Sequence, residues 1–281
     1  MEIIFSRECL NYKVPGHPER PNRVRRAYEY LQEKEFRFIP ATPASEEDIL
    51  QAHSRSLLDK IKTGDFSDPD TPNVPDIFRY ACLSAGAAIK AQELSLGKGK
   101  KVLSLMRPPG HHATRNILGG FCYFNNIAIA MKKSLERVKR TAILDLDCHH
   151  GNGTQDIFLG EERVLFVSLH QSPLYPGTGL RSERNCLNYP LPPFSDEKRY
   201  LAALVTGLEK ISEFKPEILG ISLGFDTYKD DPLGQLLLEE DSYRKIGLTI
   251  KELSVPSFAV LEGGYSWSIG PCLYQFILGW A

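Results

Sequence analysis

The sequence lacks paired cysteines, long apolar runs and any excess of one charge. Its six cysteines are scattered without a Cys-x-x-Cys spacing, which argues against a disulfide framework or a thiolate zinc site and suits a reducing cytoplasm. No apolar run approaches the roughly 18 residues of a membrane span, and the charged first residues do not resemble a signal peptide. With 34 basic and 35 acidic residues, the chain offers no broad surface for nucleic acid or anionic lipid. We therefore expect a cytoplasmic protein without nucleic-acid or membrane partners.

Short apolar runs alternate with helical patterns along almost the whole chain. Six runs predict strands, at residues 2–5, 101–106, 141–146, 164–169, 218–223 and 257–261. Helical patterns cover residues 20–31, 75–94, 126–138, 197–214 and 241–253, and residues 45–48 resemble a capping box. Strands this apolar, separated by helices, indicate an α/β protein with a single parallel β-sheet flanked by helices on both faces, a three-layer α/β/α arrangement.

Two stretches rich in turn-forming residues, 64–75 and 170–196, predict the longest loops. Neither of them resembles a flexible linker between domains, and the sequence contains no internal repeat. We therefore expect a single domain over residues 1–281.

Polar side chains follow five of the predicted strands, at the point where each strand ends. Asp145, Asp147 and His149 alternate along the chain after one apolar run, so all three can face one side. The other four strands run into His111-His112, His170, Asp226 and Tyr265. Ligands of an open α/β sheet bind at this carboxyl edge, so the five loops together predict one site. Two carboxylates beside an imidazole indicate a divalent metal, and such oxygen and nitrogen ligands suit zinc.

Each of these groups also has a purely structural interpretation when it is taken alone. A Gly-Phe-Asp segment is commonly a turn with a helix cap, and Gly-Gly-Tyr is commonly a turn with a packed tyrosine. Five such interpretations would have to hold at once, which favours a single functional site. The residues interpreted as structural are His17, His53, His150, Cys122 and Cys148.

Five motifs, in this order, resemble the metal-dependent histone deacetylase family of the arginase/deacetylase superfamily. They are Arg107-Pro-Pro-Gly-His-His112, Gly120-Phe-Cys-Tyr-Phe-Asn-Asn126, Asp145-Leu-Asp-Cys-His-His-Gly-Asn-Gly-Thr154, Gly224-Phe-Asp226 and Glu262-Gly-Gly-Tyr265. His17-Pro-Glu-Arg-Pro-x-Arg23, Asn152 and Glu262 are similar to the class II and prokaryotic branch. The resemblance implies an arginase-like fold with about eight parallel strands. It also implies a final helix that is shortened here, because the chain ends soon after Tyr265.

The resemblance implies a metal site and an oxyanion donor. One Zn²⁺ per chain would be bound by Asp147, His149 and Asp226, with an open position for water and substrate. Tyr265 would donate its hydroxyl to the oxyanion that develops during amide hydrolysis.

The two histidines of the pair would have different roles. His112 would be the general base that activates water and the acid that then protonates the leaving amine. Its partner would be Asn152, which stands where class I relatives carry an aspartate. His111, oriented by Asp145, would stabilise charge.

The resemblance also implies a substrate tunnel. Phe121, which follows Gly120, and Tyr175 match its aromatic walls, with tyrosine in place of the more usual phenylalanine. Asp70 matches the carboxylate at the rim, and Leu233 would lie at the mouth. An inner K⁺ site would use backbone oxygens of Asp145, Asp147, His149, Ser168 and Leu169.

Three functions remain open. Hydrolysis of acetyl or other acyl groups from lysine in proteins or peptides is favoured, because polyamine-selective relatives carry a glutamate where this chain has Leu233. Deacetylation of small acylated amines such as acetylpolyamines is the alternative, which Asp230 and Asp231 keep open. A binding module without catalysis is disfavoured by the complete set of catalytic residues, and a binuclear manganese ureohydrolase by the shortage of further Asp and His ligands.

Overall fold

A computed structural model describes all residues from Met1 to Ala281. Eight parallel strands form one sheet in the order β2-β1-β3-β8-β7-β4-β5-β6. The strands are β1 (Glu2–Ile4), β2 (Phe38–Ile39), β3 (Val102–Ser104), β4 (Thr141–Asp145), β5 (Val164–Gln171), β6 (Cys186–Leu191), β7 (Ile218–Leu223) and β8 (Ser257–Leu261). The strand count implied by the family resemblance and the predicted single parallel sheet are therefore confirmed.

Nine α-helices accompany the strands. They are α1 (Pro21–Glu33), α2 (Glu46–Leu50), α3 (Arg55–Thr63), α4 (Ile77–Lys98), α5 (Asn126–Ser134), α6 (Asn152–Phe158), α7 (Glu197–Phe214), α8 (Glu240–Lys251) and α9 (Ile269–Trp280). Pro21 occupies the first turn of α1, and the predicted capping box of Ser45 with Asp48 begins α2. None of the helices combines the length and the apolar character needed to cross a membrane.

The helices cover both faces of the sheet. Every residue of β4, β5 and β7 is buried. Because successive side chains of a strand point to opposite faces, full burial requires covering layers above and below. The carboxyl ends of these strands meet at one edge, and this edge carries the polar residues that the sequence analysis singled out.

The structure corrects several predicted boundaries. The stretch 170–196 is not one long loop, because β5 continues to Gln171 and β6 lies within it. β6 is an edge strand with alternating exposure, and its polar positions hide it from a search for apolar runs. β2 has only two residues, and α3 and α6 are short helices that were not predicted.

Candidate active site

The ends of β4 and β7 bring together three side chains with metal-binding atoms. The ligand atoms of Asp147, His149 and Asp226 all lie within 4.8 Å of one another. The Nδ1 atom of His149 is 3.0 Å from a carboxylate oxygen of Asp226 and 3.1 Å from one of Asp147. The backbone N–H of Cys148 donates to the other oxygen of Asp226, and that of Gly263 to the other oxygen of Asp147. Each carboxylate thus has one oxygen facing the imidazole of His149 and the other held by a backbone N–H, and the oxygen of Asp147 that faces the imidazole also accepts from the N–H of His149.

The donor set fits a divalent cation. Asp147 and Asp226 are almost completely buried, and burial together with the charge of Asp147 raises the pKa of Asp226 above its usual value. Two carboxylates this close in a dry site repel each other, which costs free energy unless a positive charge lies between them. Carboxylate oxygens with one imidazole nitrogen are ligands that zinc accepts, and three protein ligands leave a position open.

The histidine pair lies beside this cluster, on the segment that follows β3. The rings of His111 and His112 are 4.0 Å apart between centroids. The Nδ1 atom of His111 is 3.0 Å from an oxygen of Asp145, and that of His112 is 2.7 Å from the side-chain oxygen of Asn152. The two imidazoles therefore have different partners, one charged and one neutral.

These different surroundings shift the pKa values of the two histidines in opposite directions. Burial disfavours the charged form of His111, but Asp145 and Asp147 outweigh it and raise the pKa of His111 well above its usual value. Burial, together with neighbouring His111 and His149, lowers the pKa of His112 well below its usual value. Two titratable groups whose environments separate their pKa values in this way are suited to different steps of acid–base chemistry.

The segment that carries Tyr265 runs between β8 and α9. A Cβ atom at Gly263 would lie 2.2 Å from a carboxylate oxygen of Asp226, so only glycine allows this close approach. The Nε–H of Arg23 donates to the carbonyl oxygen of Gly264 at 2.8 Å, and the guanidinium lies 4.9 Å from the ring centroid of Tyr265. Tyr265 itself is 8% exposed and lies against the cavity described next.

A cavity of about 270 Å³ leads from the metal-ligand cluster to the surface. Its wall includes the residues that were assigned to substrate from the sequence, which are Asp70, Gly120, Phe121, Tyr175 and Leu233. The rings of Tyr175 and His112 are nearly perpendicular, with 5.0 Å between their centroids. A Cβ atom at Gly120 would lie 2.5 Å from the His112 ring, which explains the glycine before Phe121.

Comparison with known proteins identifies the family. Residues 17–276 match the histone deacetylase domain. The chain belongs to the histone deacetylase family. It is 40% identical to a probable deacetylase of Archaeoglobus fulgidus over 94% of this chain and 81% of that protein. Family membership makes it a metal-dependent hydrolase of amide bonds.

Two further relatives of this deacetylase-family chain are named for polyamine substrates. Acetylpolyamine amidohydrolase 2 of Pseudomonas aeruginosa is 39% identical over 71% of this chain and 61% of that protein. The crystal structure of acetylpolyamine aminohydrolase from Burkholderia pseudomallei matches with a TM-score of 0.93 at 27% identity, covering 100% of this chain and 98% of that one.

Two further histidines lie near the deacetylase-family site. His17 was interpreted as structural, and its ring packs 4.7 Å from that of Phe121, with its Nε2 3.1 Å from the carbonyl oxygen of Asp70. His170 was predicted to follow a strand, but it lies within β5 and does not line the cavity, because its ring is engaged by Ser168 and Gly179. His17 thus supports the cavity wall, whereas His170 belongs to the packing behind it.

The other residues interpreted as structural are buried away from the cavity. His53 bonds to the backbone at both ring nitrogens, and His150 bonds to Thr178 and Gln155. Cys122 and Cys148 are fully buried, as are the remaining cysteines.

The side chains that hold the His111 and Tyr265 segments in place could not be recognised from the sequence. Glu262 was noted only as a family feature, but its carboxylate accepts from the N–H groups of Gly110 and His111, at 2.7 and 3.1 Å.

Arg23 was likewise noted only as part of a family motif. Its glutamate neighbour Glu19, which is buried, pairs with Arg23 on one side and with Arg107 on the other. The only sequence signal for these contacts is their occurrence within family motifs.

Proposed function

We propose that this chain hydrolyses the amide of small acylated amines, with acetylpolyamines as the substrate class. The single observation that carries the hydrolytic chemistry is the meeting of the Asp147-His149-Asp226 cluster, His112 and Tyr265 at one end of one cavity. The sequence analysis favoured acyl-lysine and kept acetylpolyamines as the alternative. The names of two relatives support that alternative.

The proposed cofactor is one Zn²⁺ held by Asp147, His149 and Asp226. Zinc bound there would polarise the amide carbonyl and lower the pKa of the attacking water. We also propose K⁺ on backbone oxygens near Asp145 and Ser168, which pair with each other across β4 and β5. The other residues of this inner site would be Asp147, His149 and Leu169.

His112 is proposed as the general base. The side-chain oxygen of Asn152 can only accept, so the Nδ1 of His112 carries the proton and Nε2 is free to take another. The lowered pKa of His112 keeps the ring neutral near pH 7, as a base requires. The proton that Nε2 removes from water then passes to the leaving amine. The carboxylate of Asp145 raises the pKa of His111 and so favours its charged form, which would stabilise negative charge on the reacting centre.

Tyr265 is proposed as the donor to the oxyanion. Burial raises the pKa of its phenol well above the usual value, so the hydroxyl keeps its proton. A preorganised donor aimed at charge that develops only in the transition state accelerates the reaction more than it strengthens substrate binding.

The cavity supports a substrate with an aliphatic chain and a positive end. Phe121 and Tyr175 line it with flat apolar surface, and no lysine or arginine lies in its wall. Asp70 is exposed at the rim, where a carboxylate attracts a cation. One observation favours acyl-lysine as a second candidate: Leu233, which lines the cavity, has no charge, whereas a carboxylate at this position would select a polycation.

The test is a comparison of kcat/KM on N-acetylated polyamines, an acetyl-lysine peptide and longer acyl-lysine peptides with the same preparation. We expect the acetylated polyamines to give the highest value. A higher value on any acyl-lysine peptide would make the second candidate the function. His112→Ala serves as the control, because turnover that survives in this variant comes from a contaminant or a different site.

A further inference from the structure

We propose that Asp231 is a positioning residue for Tyr265, which it holds through the backbone. The inference rests on the oxyanion role proposed for Tyr265 above. From the sequence alone, Asp231 is a candidate contact for a cationic substrate. Its surroundings indicate a different task.

Both oxygens of the Asp231 carboxylate are occupied by backbone donors. One oxygen accepts from the N–H groups of Tyr265 and Ser266, at 2.6 and 2.9 Å. The other accepts from the N–H of Leu233 at 3.0 Å. Asp231 is 5% exposed and does not line the cavity, whereas its neighbour Asp230 is exposed. A carboxylate with this burial and this set of donors does not face a substrate.

Tyr265 needs such support because no regular element carries it. The strand before it ends at Leu261, and the helix after it begins at Ile269. Gly264, with φ of 115°, lies directly before Tyr265 and leaves the backbone free to turn. Arg23 holds the carbonyl of Gly264, and Asp231 holds the next two N–H groups. The segment is therefore clamped on its carbonyl side by a cation and on its N–H side by an anion.

A simple turn would not require this arrangement. The bond from Leu233 to Asp231 spans two residues and is the local contact that aspartate commonly makes in turns. The bonds to Tyr265 and Ser266 span 34 and 35 residues and connect two separate segments of the site. Leu233 and Tyr265 both line the cavity. One carboxylate thus fixes the two segments relative to each other.

Only a carboxylate satisfies all three donors. Hydrogen bonds from N–H groups to an ionised acceptor are stronger than bonds between neutral groups. Asparagine would present one oxygen and one NH₂ group, so an N–H of at least one segment would face another donor. The amide has nearly the same size, so Asp231→Asn perturbs the hydrogen bonds with little change in packing.

The test is a double-mutant cycle on the metal-loaded enzyme, with kcat measured on an N-acetylated diamine and on an acetyl-lysine peptide. Displacing a catalytic group by about 1 Å can cost on the order of 10²-fold in rate. We expect Asp231→Asn to lower kcat by roughly that factor in the wild-type background and to leave KM nearly unchanged. In the Tyr265→Phe background the same substitution should cost little, because there is no hydroxyl left to misplace.

Asp196→Asn is the matched control. Asp196 also accepts a backbone N–H, that of Arg199, but it caps α7 and does not line the cavity. This variant should keep wild-type kcat. If Asp231→Asn does not fold, Asp231→Ser, which retains one acceptor oxygen, replaces it in the cycle.

Equal losses of kcat in both backgrounds would show that Asp231 acts independently of Tyr265 and would overturn the inference. The proposed function is tested separately in the same cycle. If Tyr265→Phe alone keeps its turnover, the oxyanion role fails, whatever Asp231→Asn does.

Discussion

The Nδ1 atom of His112 lies 2.7 Å from the side-chain oxygen of Asn152. This contact fixes which nitrogen of the imidazole carries the proton and which is free to act as a base. It also leaves the imidazolium form without a charged partner at that nitrogen. The neighbouring His111 has such a partner in Asp145, at 3.0 Å. The identity of residue 152 should therefore set the acidity of the base.

Asn152→Asp should move the acid limb of the kcat/KM profile to higher pH. A carboxylate beside Nδ1 stabilises the imidazolium, so the pKa of His112 rises. Because the base must be neutral, activity is then lost at a higher pH as the pH falls. The profile is measured from about pH 5 to 9 on one substrate, a window that brackets the ordinary histidine pKa. An acid limb that stays in place would mean that another group is the base.

Asp226→Ala should abolish stoichiometric metal binding. The substitution removes one of three protein ligands and one of the two negative charges that favour a cation. Metal content is measured after dialysis against a weak chelator and compared with the wild type. Glu217→Ala, at an exposed carboxylate outside the cluster, is the control. Full occupancy in Asp226→Ala would exclude the assigned ligand set.

Leu233→Glu should raise the ratio of kcat/KM for an acetylpolyamine over that for an acetyl-lysine peptide. The new carboxylate would line the cavity, where it attracts a polycation and does little for a neutral peptide. Leu233→Gln has a similar size without the charge and should leave the ratio close to that of the wild type. If the two variants give the same ratio, charge at this position does not select the substrate.

The interior of the fold was predictable because strands buried on both faces form continuous apolar runs. β4, β5 and β7 have this character over their whole length. β6 does not, because it lies at the edge of the sheet and includes Asn188 and Pro190. β6 forms because it pairs with β5, and no local sequence pattern indicates this pairing.

The ligands and histidines of the candidate site were predictable from the sequence, whereas the residues that support them were not. Its ligands and histidines lie in the segments that follow the carboxyl ends of strands, so the topology of a parallel sheet places them together. Arg23 and Asp231 were not predicted as supports of Tyr265. Arg23 lies 241 residues from its acceptor Gly264 and occurs in a helix, where arginines are usually solvent-exposed. Such contacts follow only from the assembled fold.

The buried residue His53 should make the protein less stable at mildly acidic pH. Its Nδ1–H donates to the carbonyl of Thr114, and its Nε2 accepts from the N–H of Asn125. Burial lowers the pKa of His53 to about 4, from an ordinary value of 6.5. The unfolded chain therefore takes up this proton at a higher pH than the folded protein, and stability is lost as the pH falls from 6.5 to about 4.

The loss attributable to His53 is up to about 3 kcal/mol at the acid end of this window. It is measured as the free energy of unfolding by urea at several pH values, for the wild type and for His53→Gln. The variant, which has no titrating group at this position, should show a shallower dependence on pH. Parallel curves for the two proteins would mean that His53 is not held neutral.

Tyr265→Phe tests the proposed hydrolytic mechanism most directly. The substitution keeps the ring and its packing, including the contact with Arg23, and removes only the hydroxyl. Loss of one oxyanion donor typically lowers kcat by about 10²–10³-fold. We measure kcat, metal content and thermal midpoint on the same preparations. The account predicts a loss of that size with metal content and stability close to the wild type. A variant that keeps its turnover, or that loses stability instead, would contradict it.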